Sequence, residues 1–275
     1  MALTPGTTTF RDRSALADTA ESAAHAAADL VVGAFRTRLR VEEKADKDLV
    51  TEWDRRSEVL IVKRLRAEHP DVPVVGEESH GPGTALPALA YVVDPIDGTT
   101  NFTHGHPFWC VSIGVFDGGA PVAGAMVAPA LGITWKAVVD PEGRSSIALR
   151  DGAPCRVSGT DELRRSLIAT GFPPVRDVAP DNNFDSFMTV KRRAQAVRRC
   201  GSAAIDIAFV GDGTYDAYWE RRLHLWDLAA GAALVLAAGG RITALDGGPP
   251  VYERGHIAVS NGLVHEALVA AIGGA

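Results

Sequence analysis

The chain has 275 residues, 46% of them apolar and 23% charged, with a formal net charge of −6. That balance fits one large globular unit or two modest ones and excludes general disorder. An acidic chain without a long basic run argues against nucleic acid as the main partner, because such binding rests on neutralising phosphates. No apolar run reaches the ~18 residues of a membrane span, so no membrane partner is expected.

Met1 to Arg13 are polar and lack periodicity, so disorder is expected there and nowhere else. No charged-then-apolar leader opens the chain, and a secretory signal is not expected. The three cysteines, Cys110, Cys155 and Cys200, are odd in number and far apart. They read as reduced thiols of a cytoplasmic protein.

A helix is expected over 14–36, where Leu16, Ala20, Ala23, Ala27, Leu30 and Ala34 form a stripe of mostly small residues. A second helix over 54–68 stops at His69-Pro70, with Asp54 at its N-cap or in its first turn. Strands over 72–76 and 89–93 deliver Glu77-Glu78 and Asp94 at their ends. Strands over 111–116 and 122–127 flank Asp117-Gly118-Gly119, a hairpin signal. Two more, over 133–139 and 146–149, make an antiparallel sheet. From about residue 158 the pattern is mixed α/β. It has strands over 166–170, 215–220, 241–245 and 257–259, and helices over 183–198, 203–211, 226–238 and 263–272. Two packed α/β halves are expected, 1–157 with the acidic motifs and 158–275 with the remainder.

The densest chemistry lies in Asp94-Pro95-Ile96-Asp97-Gly98-Thr99-Thr100-Asn101-Phe102. Pro95 pushes Asp94 away from helical geometry, and Gly98 permits a turn with positive φ. Both carboxylates then sit on one bend, beside backbone amides at 98–100 that can face an anion. Carboxylates alone would repel a phosphate, and divalent ions between them would remove that repulsion. An oxygen-only ligand set points to Mg²⁺ rather than zinc. Taken alone, the segment reads first as an ordinary Asp-Gly turn with Asp97 capping a helix.

With Gly76-Glu77-Glu78 and with Trp226-Asp227 through Ala238-Gly239-Gly240, this segment resembles the signatures of the inositol monophosphatase family. Lys44 to Asp54 resembles that family's upstream Asp-Leu-Val-Thr-x-x-Asp element. Gly201-Ser202-Ala203-Ala204 and Tyr218-Trp219-Glu220 resemble its substrate-side segments. The likeness runs in the family's order from about residue 14 to the C-terminus. It departs between Trp135 and Arg156, where a usual Gly-x-Gly-Ala turn is replaced by Pro141-Glu142-Gly143.

The resemblance implies an α/β fold of alternating helix and sheet layers, an αβαβα sugar-phosphatase-like sandwich. It implies two to three Mg²⁺ ions per subunit. Glu77, Asp94 and the carbonyl of Ile96 would hold the first; Asp94, Asp97 and Asp227 would hold the second; Glu77 would assist a weaker third. Asp54 and Thr99 would orient and deprotonate the attacking water, and Glu77 counts with them as a catalytic residue. The amides of Gly98 and Thr99 would bind phosphate. Asp97, Ala203, Glu220 and Asp227 would line the substrate, and Lys44 would lie near the metals. A lithium-sensitive homodimer is implied as well.

The implied activity is Mg²⁺-dependent hydrolysis of a small phosphorylated polyol, inositol 1-monophosphate first. The alternatives are histidinol phosphate, a nucleotide 3′,5′-bisphosphate or fructose 1,6-bisphosphate, and a non-catalytic polyol- or phosphate-binding protein. The eight histidines lack zinc-ligand spacing and read as structural or surface groups. Gly211-Asp212-Gly213 reads as a helix stop. Arg192, Arg193, Arg198 and Arg199 read as a solvated helix face, unless one reaches a second phosphate or a partner subunit.

Overall fold

The computed structural model describes residues 3, 6–45, 48–81, 83, 85–143, 145–173, 179 and 181–273, without the side chains of residues 44, 45 and 48. The first helix, α1 (Phe10–Val32), buries Leu16, Ala20, Ala23 and Ala27 along its small-residue stripe. A hairpin, β1 (Val41–Ala45) and β2 (Asp48–Thr51), leads into α2 (Glu52–Glu68). Next come β3 (Val74–Gly76), β4 (Leu89–Asp97) and the short α3 (Thr99–Thr103). The strands β5 (Cys110–Asp117), β6 (Ala120–Ala128), β7 (Ile133–Val138), β8 (Ile147–Arg150) and β9 (Ala153–Pro154) continue in chain order, so β3 to β9 form one seven-stranded sheet. Only the β3–β4 pairing is parallel.

A second sheet of five strands contains β10 (Leu167–Thr170), β11 (Ala196–Arg198), β12 (Ala217–Glu220), β13 (Arg241–Thr243) and β14 (Ile257–Ser260). Its order is β11-β10-β12-β14-β13. The helices among these strands are α4 (Phe184–Arg193), α5 (Ala203–Gly211), α6 (Leu225–Ala237) and α7 (His265–Gly273). Helices α1 and α2 cover one face of the large sheet, and α5 and α6 pack between the two sheets. Helices α4 and α7 cover the far face of the small sheet. The layers therefore alternate αβαβα.

Close approach sets the middle layer. Gly114 and Gly124 are paired across β5 and β6. A Cβ at Gly114 would lie 2.4 Å from the Ala229 Cβ, and one at Gly124 would lie 2.9 Å from the Ala230 Cα. Helix α6 thus rests on bare backbone, which brings its first turn down to the end of β4. No helix among the described residues is long and apolar enough to cross a membrane.

Three local expectations are corrected. Residues 6–13 are held in place rather than disordered. Thr8 is buried, its amide donates to Asp117 at 3.2 Å, and Thr9 and Asp12 form a capping box that starts α1 at Phe10. The partner lies more than a hundred residues away, so the local pattern gives no sign of it. The helix expected over 183–198 stops at Arg193, and Ala196–Arg198 pairs with β10 as an edge strand. Helix and strand are hard to tell apart in so short a run, and sheet pairing decides. Strand β4 continues past Val93 to Asp97, through an irregularity in which Asp94 faces Ser112 and Asp97 faces Cys110.

Candidate active site

A cavity of about 980 Å³ opens where β3, β4 and β12 end and where α3, α5 and α6 begin. Glu77, Asp94, Ile96, Asp97, Gly98, Thr99, Ala203, Glu220 and Asp227 all line it. Asp54 is buried and reaches it through Thr99. The fold thus brings the acids named from the sequence to one place. The side chain of Lys44 lies outside the described residues.

Asp94, Asp97 and Asp227 each offer a carboxylate oxygen within 4.8 Å of the other two. A backbone amide fixes each of them. Ile96 N donates to Asp94 at 3.0 Å, Ala204 N to Asp97 at 2.9 Å, and His224 N to Asp227 at 2.7 Å. Asp227 occupies the first turn of α6. Asp97 does not cap the helix that follows it; it receives Ser202 Oγ and Ala204 N at the start of α5.

Burial, then the charges of Glu77, Asp97, Asp227 and Asp54, push the Asp94 carboxyl well above the usual range. Burial, then Asp97, does the same to Asp227. Such groups repel one another unless protons or cations sit among them. The donors are all oxygens, a set suited to a hard divalent cation. The Asp94–Asp97–Asp227 cluster therefore fits a metal.

Beside the cluster, Thr99 Oγ lies 3.1 Å from Asp54 Oδ1 and 3.0 Å from the Ile96 carbonyl. The other oxygen of Asp54 accepts from Thr51 N at 2.8 Å and Thr51 Oγ at 2.6 Å, in the capping box of α2. Gly98 has φ +91°, and a Cβ there would meet the Phe108 carbonyl at 3.0 Å. Among the described residues, no side chain caps α3. Gly98, Thr99, Thr100 and Asn101 at its start all line the cavity.

Glu220, at the end of β12, is buried and accepts from Tyr218 Oη. Burial raises its carboxyl to about 7, against the lowering effect of that bond and of Arg199. A Cβ at Gly171 would sit 2.2 Å from this carboxylate, so glycine leaves room for it.

Sequence reasoning missed Asp206 and Glu58. Asp206 lies on α5, is 2% exposed and lines the cavity. An acid within the apolar run Ile205-Asp206-Ile207 was the available signal. Glu58, buried in α2, accepts Glu78 N at 2.8 Å and so ties down the Glu77–Glu78 turn. Of the arginine cluster, Arg199 alone lines the cavity among the described residues.

A model of the inositol monophosphatase family matches residues 12–274. The chain is 38% identical to an inositol-1-monophosphatase of Synechocystis over 234 residues, covering 85% of this chain and 80% of the relative. It is 39% identical to the Nus factor SuhB of Pseudomonas aeruginosa over 241 residues, 85% of this chain and 86% of the relative. The solved inositol monophosphatase of Anabaena (Nostoc) superposes with a TM-score of 0.84 at 35% identity, covering 95% of this chain and 96% of that one.

Proposed function

We propose, from the premise that the chain belongs to the inositol monophosphatase family of phosphoric monoester hydrolases, that its substrate is inositol 1-monophosphate and its cofactor Mg²⁺. The convergence of Asp94, Asp97 and Asp227 within 4.8 Å, beside the Thr99–Asp54 pair, carries this reading.

Glu77, Asp94, Asp97, Asp227 and the Ile96 carbonyl are assigned as ligands of two Mg²⁺ ions, with Glu77 assisting a weaker third. When bound, such ions neutralise phosphate charge, acidify a water and stabilise the leaving alkoxide. The protein's own groups do the positioning. Thr99 Oγ donates to Asp54, which leaves its lone pairs free to accept a proton from the attacking water. That proton passes through the hydroxyl to Asp54 as the water oxygen bonds to phosphorus. The bond from phosphorus to the alcohol oxygen breaks, and the alkoxide is protonated by solvent. The amides of Gly98 and Thr99 orient the phosphate. Asp97, Ala203, Glu220 and Asp227 line the alcohol, Glu220 accepting ring hydroxyls. Residues 1–157 supply most of the reacting groups and Asp97, and residues 158–275 supply Asp227 and the alcohol contacts of Ala203 and Glu220.

Phosphate release from inositol 1-monophosphate, histidinol phosphate, a nucleotide 3′,5′-bisphosphate and fructose 1,6-bisphosphate, with and without Mg²⁺, tests the proposal. The highest kcat/KM is expected for the inositol ester, and only with Mg²⁺. A higher value for any other ester would reassign the substrate. No release from any of them would end the enzymatic reading. Family membership also supports a lithium-sensitive homodimer; a light-scattering mass of one subunit would count against the dimer.

A further inference from the structure

Asp206 is a buried acid on α5. Among the described residues, its Oδ1 has no hydrogen-bond partner. It is not the cap of α5, because Ser202 takes that role, its side chain accepting Ile205 N. Ala203 and Asp206 are three residues apart, so they share one face of α5, and both line the cavity. The charged groups that act on Asp206 are Glu220, Asp97 and Arg199.

We propose that Asp206 is a specificity-determining residue whose carboxyl takes a hydroxyl of the substrate's polyol, beside the hydroxyl taken by Glu220. The proposal deepens the polyol reading and rests on it. A hydroxyl both donates and accepts, so it satisfies Asp206 in either protonation state. Burial and the neighbouring carboxyls favour the protonated form, while Arg199 favours the charged one. An ammonium group would satisfy the charged form only, and Arg199 already offsets charge there. A buried carboxyl left unsatisfied without substrate gives a polar site strong discrimination against esters that lack the matching group.

The test compares inositol 1-monophosphate with p-nitrophenyl phosphate, whose leaving group has no polyol hydroxyls. Asp206→Ala should lower kcat/KM for the inositol ester about 10- to 100-fold, mainly through KM, and leave p-nitrophenyl phosphate hydrolysis unchanged. Retained p-nitrophenyl phosphate activity also reports a folded active site. Asp206→Asn, whose amide both donates and accepts, should lose less than Asp206→Ala. Equal losses on both esters, in both variants, would show a merely structural role and overturn the proposal. Unchanged inositol kinetics would overturn it too. Wild-type enzyme that cuts p-nitrophenyl phosphate but no polyol ester would refute the parent reading and Asp206 with it. An unselective Asp206 variant beside active wild type would refute Asp206 alone.

Discussion

At one end of the cavity, Asp94, Asp97 and Asp227 are each held by a backbone amide. At the other, Glu220 is held by Tyr218, and Asp206 Oδ1 accepts from no described group. The first end is rigidly arranged and short only of positive charge. On the proposed function, the second would be completed by the alcohol part of the substrate. The proposed roles thus divide one pocket: the strand ends of the large sheet would carry the chemistry, and α5 and β12 most of the selectivity. Helix α6 brings Asp227 to the reacting end from its first turn, and its next residues, Ala229 and Ala230, rest on Gly114 and Gly124.

The strongest way to break this comparison is to remove the proton path. Thr99→Ala should lower kcat about 10²- to 10⁴-fold on every ester, with a smaller change in KM. Single-turnover kinetics would check it; a loss confined to polyol esters would mean that Thr99 belongs to the selective end. Glu220→Gln should act the other way round. It is expected to lower kcat/KM for the inositol ester about tenfold, the equivalent of ~1.4 kcal/mol, while sparing p-nitrophenyl phosphate. Steady-state kinetics on the two esters decides.

Stability against pH sharpens the same contrast. Glu220 is raised to about 7, and Asp94, Asp206 and Asp227 are raised by burial first. Raised carboxyls bind more protons folded than unfolded, so their contribution is full at low pH and is lost as pH rises through the folded values. His265 has the opposite sign, since burial lowers it to about 4 and its contribution grows as pH rises toward its ordinary range. The several carboxyls outweigh the single imidazole. EDTA-treated protein is therefore expected to lose Tm between about pH 6 and 8, and Mg²⁺ should raise Tm more at pH 8 than at pH 6. Calorimetry with a rising Tm over that window in EDTA would contradict the repulsion described at the reacting end.

The reacting end was far more legible in the sequence than the selective end. Glu77, Asp94 and Asp97 follow apolar strands, and Asp227 opens an apolar helix; acids in such places stand out. The layered fold came with the family likeness, and the element types came mostly from periodicity. Asp206 passed unnoticed because a single acid in a helix resembles a solvated face until packing buries it. The edge strand over Ala196–Arg198 and the anchoring of Thr8 by Asp117 depend on partners distant in sequence. Local patterns carry no trace of such pairings.

The most direct test of the account is phosphate release from inositol 1-monophosphate by metal-stripped protein titrated with Mg²⁺, run beside Asp94→Asn. No release is expected before Mg²⁺, then a saturable rise with it, and a loss on the order of 10³-fold or more in Asp94→Asn. Release without added metal, or near-normal rates in Asp94→Asn at low Mg²⁺, would contradict it.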